Sequence, residues 1–159
     1  MTEPIARRSA RVAAVEVDAG IAALLVERVG ALGLGNVTVI QQDILTFDWE
    51  AAAPAVAVGA IPYQITSPIL VALTQARRYI RRAVLVMQHE VARRLIAVPG
   101  TKSYGRLSVL GQYGWTLTLA FRVPRSAFFP QPGVDSACLL MVPRTRPLVA
   151  VRNERRFFD

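Results

Sequence analysis

The chain has 159 residues, 53% of them hydrophobic, which suits one globular domain with a buried core and excludes a disordered chain. Its net charge of +8, from 19 basic and 11 acidic residues, predicts a polyanionic partner; the alternative is an arginine-biased genome that decorates a solvated surface. The apolar runs are too short to cross a membrane and the N-terminus lacks the apolar region of a signal peptide, so we expect no membrane attachment and a cytoplasmic location.

Apolar runs alternate with helical patterns along the chain, which predicts an α/β fold with a mostly parallel sheet. Strands are predicted at residues 11–17, 36–41, 54–59 and 82–88, and helices at 19–32, 66–79, 90–98 and 107–113. The helix at 66–79 is expected to be capped by Thr66 or Ser67. A final pair of strands, 115–123 and 134–142, is predicted to form a terminal antiparallel hairpin.

Two further residue patterns concern the interior. The first strand of that hairpin alternates apolar with small or polar residues, which predicts a half-exposed strand with Leu119 and Phe121 on one face. The single cysteine, Cys138, lies in an apolar run and is interpreted as a small buried hydrophobe.

Acidic residues follow the first two predicted strands. Glu16 and Val17 end the first strand, and Asp43 and Ile44 follow the second. Ligands of open α/β sheets bind at the carboxyl ends of strands, where a carboxylate can accept hydrogen bonds from a ribose diol or an adenine amine. The alternatives are that Glu16 is an ordinary surface acid and that Asp43 caps the turn after it.

Aromatic residues occur in two proline-containing segments. Pro62 and Tyr63 follow the third strand, where a tyrosine can present a flat face to a base. Phe128 lies in a loop stiffened by Pro130 and Pro132, and an exposed aromatic on such a loop suits base stacking. The alternatives are a packed aromatic in a turn and a loop that plugs the core.

In combination, these segments resemble the KsgA-type rRNA adenine N6-dimethyltransferase family, which is related to the Erm enzymes. Residues 61–69, Ile-Pro-Tyr-Gln-Ile-Thr-Ser-Pro-Ile, are similar to the family motif Asn-Leu-Pro-Tyr-Asn-Ile-Ser/Thr-Ser/Thr-Pro. Residues 87–95 and 104–109 are similar to stretches typical of the KsgA branch, and residues 128–136 match Phe-x-Pro-x-Pro-x-Val-Asp-Ser. The resemblance covers essentially the whole chain.

The resemblance implies a Rossmann-like class I methyltransferase fold that uses S-adenosylmethionine, needs no metal and acts as a monomer on adenines of small-subunit rRNA. It implies that Tyr63 and Phe128 sandwich the target adenine while the Pro62 carbonyl accepts a hydrogen bond from the target amine. For the cofactor, it implies that Glu16 holds the ribose and Asp43 the adenine. The remaining residues expected at the cofactor site are Val17, Ile44 and Ala60.

The sequence departs from the family pattern in two places. Residues 1–6 enter at the helix that follows the family's Gly-rich loop, so the first, central strand is expected to be missing. Residues 1–146 are therefore interpreted as a partial catalytic domain. Residues 147–159 are interpreted as the start of a C-terminal helical domain, because Phe157–Phe158–Asp159 resembles the opening of another packed element.

Ala60 is the second departure, since the family has Asn or Asp there to accept a hydrogen bond from the target amine. We therefore expect weak methyltransferase activity or none. Two alternative functions remain open: a non-catalytic rRNA-binding assembly factor and an Erm-type methyltransferase of the large subunit.

Overall fold

The structure, a computed structural model, describes residues 1–158 except for the side chains of Arg155 and Phe158. Asp159, which the sequence places in a further packed element, lies outside the described residues. The chain divides into two compact units, Met1–Asp48 and Trp49–Asp159. No helix within residues 1–158 has both the length and the apolar character that a membrane span requires.

The first unit contains two parallel strands and the helix that connects them. Its elements are α1 (Thr2–Ala6), β1 (Val12–Glu16), α2 (Ala19–Ala31), β2 (Val37–Gln41) and a 3-10 turn (Ile44–Thr46). The strands run in register from the Val12–Val37 pair to the Glu16–Gln41 pair, so both end at the same edge. The helix starts where the Asp18 carboxylate accepts the Ile21 N–H at 2.8 Å.

The second unit is built on a four-stranded mixed sheet. Its strands are β3 (Ala55–Ala60), β4 (Ile80–Gln88), β5 (Trp115–Val123) and β6 (Ser136–Pro143), in the order β3-β4-β6-β5. Its helices are α3 (Thr66–Gln75), α4 (His89–Leu95), α5 (Arg106–Gly114) and α6 (Glu154–Phe158). Only β3 and β4 are parallel within this sheet, while β6 is antiparallel to both β4 and β5. The predicted terminal hairpin is therefore confirmed.

The core of the second unit lies on one face of this sheet, where α4 and α5 pack. Met87, Leu139 and Met141 on the strands and Leu95 on α4 are fully buried. Trp115 is also fully buried, and its indole N–H donates to the Thr74 hydroxyl at 3.0 Å. Apolar burial of this kind is the main favourable contribution to folding, so this face holds the unit together.

Two local predictions are wrong. Neither Thr66 nor Ser67 caps α3; the cap residue is Ile65, and the Thr66 hydroxyl donates back to the Tyr63 carbonyl at 3.2 Å. The helix also ends at Gln75, because residues 77–79 form a 3-10 turn that redirects the chain into β4.

Phe121 is a third correction. Strand alternation predicts it on the same face as Leu119, but its side chain is 59% exposed. The register against β6 shifts between Leu119 and Phe121, and such a bulge turns the following side chain to the other face. Cys138, in contrast, is buried as predicted, and burial raises the pKa of its thiol.

Candidate active site

Two carboxylates lie at the carboxyl edge of β1 and β2 in the first unit. The Gln42 N–H donates to the Glu16 carbonyl at 2.9 Å, which continues the strand pairing and places Glu16 and Asp43 at the same edge. Glu16 Oε1 accepts the Asp18 N–H at 3.0 Å, and Asp43 Oδ1 accepts the Leu45 N–H at 2.9 Å. Each carboxylate thus uses one oxygen locally, and the other oxygen has no hydrogen bond from the described residues.

The predicted alternative role of Asp43 as a turn cap is therefore present in the structure. It does not exclude a ligand role, because a carboxylate has two oxygens and about four acceptor sites. Val17, beside Glu16, is 65% exposed, and the half-buried Ile44 opens the 3-10 turn beside Asp43. The edge therefore combines two acceptor groups with apolar side chains, which is the chemistry that a nucleoside requires.

The Pro62–Tyr63 segment begins where β3 ends, in the second unit. Ala60 is the last residue of β3 and is exposed, while Ile61 is buried and its N–H donates to the Val86 carbonyl at 2.9 Å. The Pro62 carbonyl accepts the Ile65 N–H at 3.2 Å, which closes a 3-10 turn. A carbonyl oxygen has two lone pairs, so Pro62 keeps one acceptor site.

The side chain of Tyr63 is anchored by a residue of another strand, β6. Its hydroxyl lies 3.2 Å from the hydroxyl of Ser136, the first residue of β6. Ser136 is 2% exposed, whereas Tyr63 is 37% exposed. One end of the tyrosine is therefore fixed to the core while part of its ring faces solvent.

The loop that carries Phe128 is held by Asp135. The Asp135 carboxylate accepts the Arg125 N–H at 2.8 Å and forms an ion pair with Arg122. These contacts, the Arg125 N–H first, hold the pKa of Asp135 below its usual range. The Asp135 carbonyl also accepts the His89 N–H at 2.9 Å, which ties the loop to the start of α4.

The structure thus groups the predicted residues in two sets. Glu16 and Asp43 share the strand edge of the first unit. In the second unit, Tyr63 is bonded to Ser136, which directly follows the Asp135 anchor of the Phe128 loop. The rings of Tyr63 and Phe128 do not pack on each other in the described part of the chain.

The residues that hold these side chains in place are not among the site residues predicted from the sequence. They are Ser136, Asp135 and Arg122. The Val-Asp-Ser end of the loop motif was a signal for the first two, but their partners lie far away in the sequence or across the hairpin. Only the folded chain shows that they position Tyr63 and the Phe128 loop.

A basic cavity of about 570 Å³ opens beside α4 and the loop that leads to α5. Its lining includes Arg93, Arg94, Lys102 and Arg106, with Glu90 as the acidic member. Glu90 is paired with Arg94 within α4. The surplus of cations over acids is favourable for a polyanion.

A family model described as "Ribosomal RNA adenine dimethylase" matches residues 1–159. The chain belongs to the ribosomal RNA adenine dimethylase family. It is 40% identical to "Ribosomal RNA small subunit methyltransferase A" from Geobacillus thermodenitrificans, and equally to the protein of that name from Bacillus cereus. Each alignment covers 100% of this chain and 56% of the relative, so the chain spans about half the length of these curated relatives.

Two solved structures of related enzymes confirm the fold class. The 23S rRNA methyltransferase ErmE superposes with a TM-score of 0.81 at 32% identity, over 99% of this chain and 62% of ErmE. A dimethyladenosine transferase from Plasmodium falciparum superposes with a TM-score of 0.74 at 29% identity, over 84% of this chain and 48% of that protein. This member of the ribosomal RNA adenine dimethylase family therefore has the class I methyltransferase fold that its sequence predicted.

Proposed function

We propose that this chain carries the catalytic part of an rRNA adenine N6-dimethyltransferase that uses S-adenosylmethionine and acts on the small ribosomal subunit. Membership of the adenine dimethylase family supports the reaction, and relatives named for the small subunit support the substrate. The basic cavity and the net charge of +8 support an RNA partner. Residues 1–146 as the catalytic part, a monomeric state and a cytoplasmic location belong to the same proposal.

The anchoring of Tyr63 is the observation that carries this proposal. Tyr63 lies just past the carboxyl end of β3. Its hydroxyl is held by the buried Ser136, while its ring is partly exposed. An aromatic face that is fixed at one end and open at the other is suited to stack on an extruded base. Phe128, on the loop that ends at Ser136, is assigned the second face of the same adenine.

The target amine is positioned by the backbone in this proposal. The free acceptor site of the Pro62 carbonyl receives a hydrogen bond from the adenine N6–H, which orients the nitrogen lone pair away from the carbonyl. Holding the reacting nitrogen in one orientation lowers the entropic part of the barrier. Tyr63 and Phe128 contribute by excluding water from the base.

The residues of the first unit fit the nucleoside part of the cofactor. In each carboxylate, one oxygen already accepts a local backbone N–H. The second oxygen of Glu16 would accept hydrogen bonds from the ribose hydroxyls, and that of Asp43 would accept one from the adenine amine. Val17 and Ile44 supply apolar contacts to the adenine. Ala60, the remaining residue assigned to the cofactor, lies in the second unit and offers only backbone hydrogen-bonding groups. When bound, S-adenosylmethionine supplies a methyl group that is already electrophilic, so the site needs no metal.

Transfer of a tritiated methyl group from S-adenosylmethionine to small ribosomal subunits tests the function. We expect label in N6,N6-dimethyladenine of small-subunit rRNA, at a low rate because of Ala60. Label in the large-subunit rRNA alone would indicate the Erm-type alternative. Absence of label in both, even with Ala60→Asn, would refute the proposal.

Ala60 favours one second candidate, a non-catalytic rRNA-binding factor. Its methyl side chain offers no acceptor at a position where the family motif carries Asn or Asp. A factor of this kind would retain RNA affinity through the aromatic and arginine residues without needing the cofactor. Calorimetry separates the two candidates, because heat of S-adenosylmethionine binding that disappears in Glu16→Ala is expected only of the enzyme.

A further inference from the structure

The loop before β6 contains a second aromatic residue that the proposed function does not use. Phe129 is 102% exposed, the highest exposure among the large hydrophobic residues in the described part of the chain. Burial of a phenylalanine side chain is strongly favourable, and Phe129 lacks this stabilisation in the chain alone. Its neighbour Phe128, in contrast, is half-buried.

Phe128 and Phe129 differ in their exposure. Phe128 is half-buried, whereas Phe129 is fully exposed in the bend that follows the 3-10 turn at Arg125–Ala127. Since Phe128 is the ring assigned to the target adenine, the ring of Phe129 is available for a second base.

The loop also carries a net positive charge. Arg122 and Arg125 are its two cations and Asp135 is its one acid among residues 122–136. Arg122 is paired with Asp135, whereas the exposed Arg125 guanidinium acts on Asp135 only through charge and makes no hydrogen bond or ion pair within residues 1–158. An arginine and an exposed aromatic residue on one loop suit single-stranded nucleic acid, since the cation can meet a phosphate and the ring a base.

Both ends of the loop are held by hydrogen bonds. Asp135 bonds to the Arg125 backbone and to the Arg122 side chain, and the Ala127 and Phe128 N–H groups donate to Pro124 and Arg125 at 3.0 and 3.2 Å. Order that is already present on both sides of Phe129 lowers the conformational entropy that the loop loses on binding.

We propose that Phe129 is an RNA-binding residue that stacks on an unpaired base other than the target adenine, with Arg125 contacting the adjoining phosphate. This inference rests on the proposed function, in which the target adenine is extruded from the RNA and stacks on Phe128. The motif Phe-x-Pro-x-Pro does not specify the residue at position 129. Its effect is on RNA affinity, and it does not touch the reacting atoms.

Substitutions at Phe129 separate stacking from general apolar contact. With labelled single-stranded oligoadenylate as the probe, we expect Phe129→Ala and Phe129→Leu to weaken the Kd about 5- to 150-fold, the range for loss of one stacked base. Phe129→Trp restores binding, and its fluorescence is quenched by the oligoadenylate beyond any change from Trp49 and Trp115. Leu148→Ala is the matched control, because Leu148 is 57% exposed and lies past the other end of β6.

The outcomes distinguish this inference from the proposed function. An affinity of Phe129→Ala or Phe129→Leu equal to that of the unaltered chain, or an unquenched Phe129→Trp, overturns the role of Phe129 even if methyl transfer is observed. Loss of methyl transfer in the unaltered chain and in Ala60→Asn, with stacking at Phe129 intact, refutes the enzyme while the RNA contact stands. Absence of any RNA binding by the unaltered chain overturns both.

Discussion

The hydrogen bond between Tyr63 and Ser136 predicts an asymmetry between two conservative substitutions. Tyr63→Phe removes the hydroxyl of the partly exposed residue. It leaves the hydroxyl of Ser136, which is 2% exposed, without its partner. Ser136→Ala removes the buried hydroxyl and leaves the tyrosine hydroxyl on a residue that is 37% exposed, where water can replace the serine. The two substitutions delete the same bond and leave different groups behind.

The expected magnitudes follow from what is left behind. An unpaired buried hydroxyl costs about 1–3 kcal/mol, so Tyr63→Phe should lower the free energy of unfolding by that amount. Ser136→Ala should cost less than about 1 kcal/mol, since its loss is a single neutral hydrogen bond that water replaces. The double variant should be more stable than Tyr63→Phe alone, because it no longer buries an unpaired hydroxyl.

Urea denaturation followed by tryptophan fluorescence measures this directly. Both tryptophans, Trp49 and Trp115, belong to the unit that contains Tyr63 and Ser136, so the signal reports on that unit. If Ser136→Ala destabilises as much as Tyr63→Phe, or if the double variant is the least stable of the three, the structural reasoning is wrong. Methyl transfer by the same variants then shows how far the position of the ring controls the KM for RNA.

Three further predictions concern activity and stability. Ala60→Asn should raise the rate of methyl transfer by up to about 10²-fold, because it restores an acceptor for the target amine, while Ala60→Val should not. Glu154→Gln should lower the free energy of unfolding at neutral pH by roughly 0.5–1 kcal/mol, a small value because the carboxylate is 39% exposed. The hydrogen bond from Arg77 holds the pKa of Glu154 below its ordinary value. The stability difference between the unaltered chain and Glu154→Gln is therefore fully present above the pKa of the unfolded state and shrinks as pH falls through the pKa of the folded state, which acid denaturation curves measure. Thr74→Val should cost about 1–3 kcal/mol in urea denaturation, because it leaves the buried indole N–H of Trp115 unpaired.

Hydrophobic periodicity was sufficient to predict the strands and most helices, because burial on one face imposes the period on the sequence. The end of α3 was not predictable in this way. Apolar residues continue to Ile80, but the Arg77 guanidinium donates to the Thr74 carbonyl at 2.8 Å and satisfies the end of the helix. An arginine that caps a helix looks like any other arginine in the sequence.

The motif residues of the candidate site could be predicted from the sequence. The residues that position their side chains could not. Tyr63 and Ser136 are 73 positions apart, and their contact exists only because β6 pairs with β4 next to β3. The Arg77–Glu154 ion pair spans 77 positions in the same way. Residues that contact a ligand have a recognisable chemistry, whereas residues that position them depend on topology.

Under the proposed function, the two cofactor carboxylates and the RNA-stacking residues fall in different compact units, while Ala60 of the cofactor set lies in the second unit. Glu16 and Asp43, assigned to the cofactor, are supported by hydrogen bonds within Met1–Asp48. Tyr63, Phe128 and Phe129, assigned to RNA, are supported by contacts within Trp49–Asp159. Because the two sets share no supporting residue, loss of cofactor affinity need not remove RNA affinity. Under the proposed function, substitutions at Glu16 or Asp43 are therefore expected to weaken cofactor binding and to leave the proposed RNA contacts unchanged.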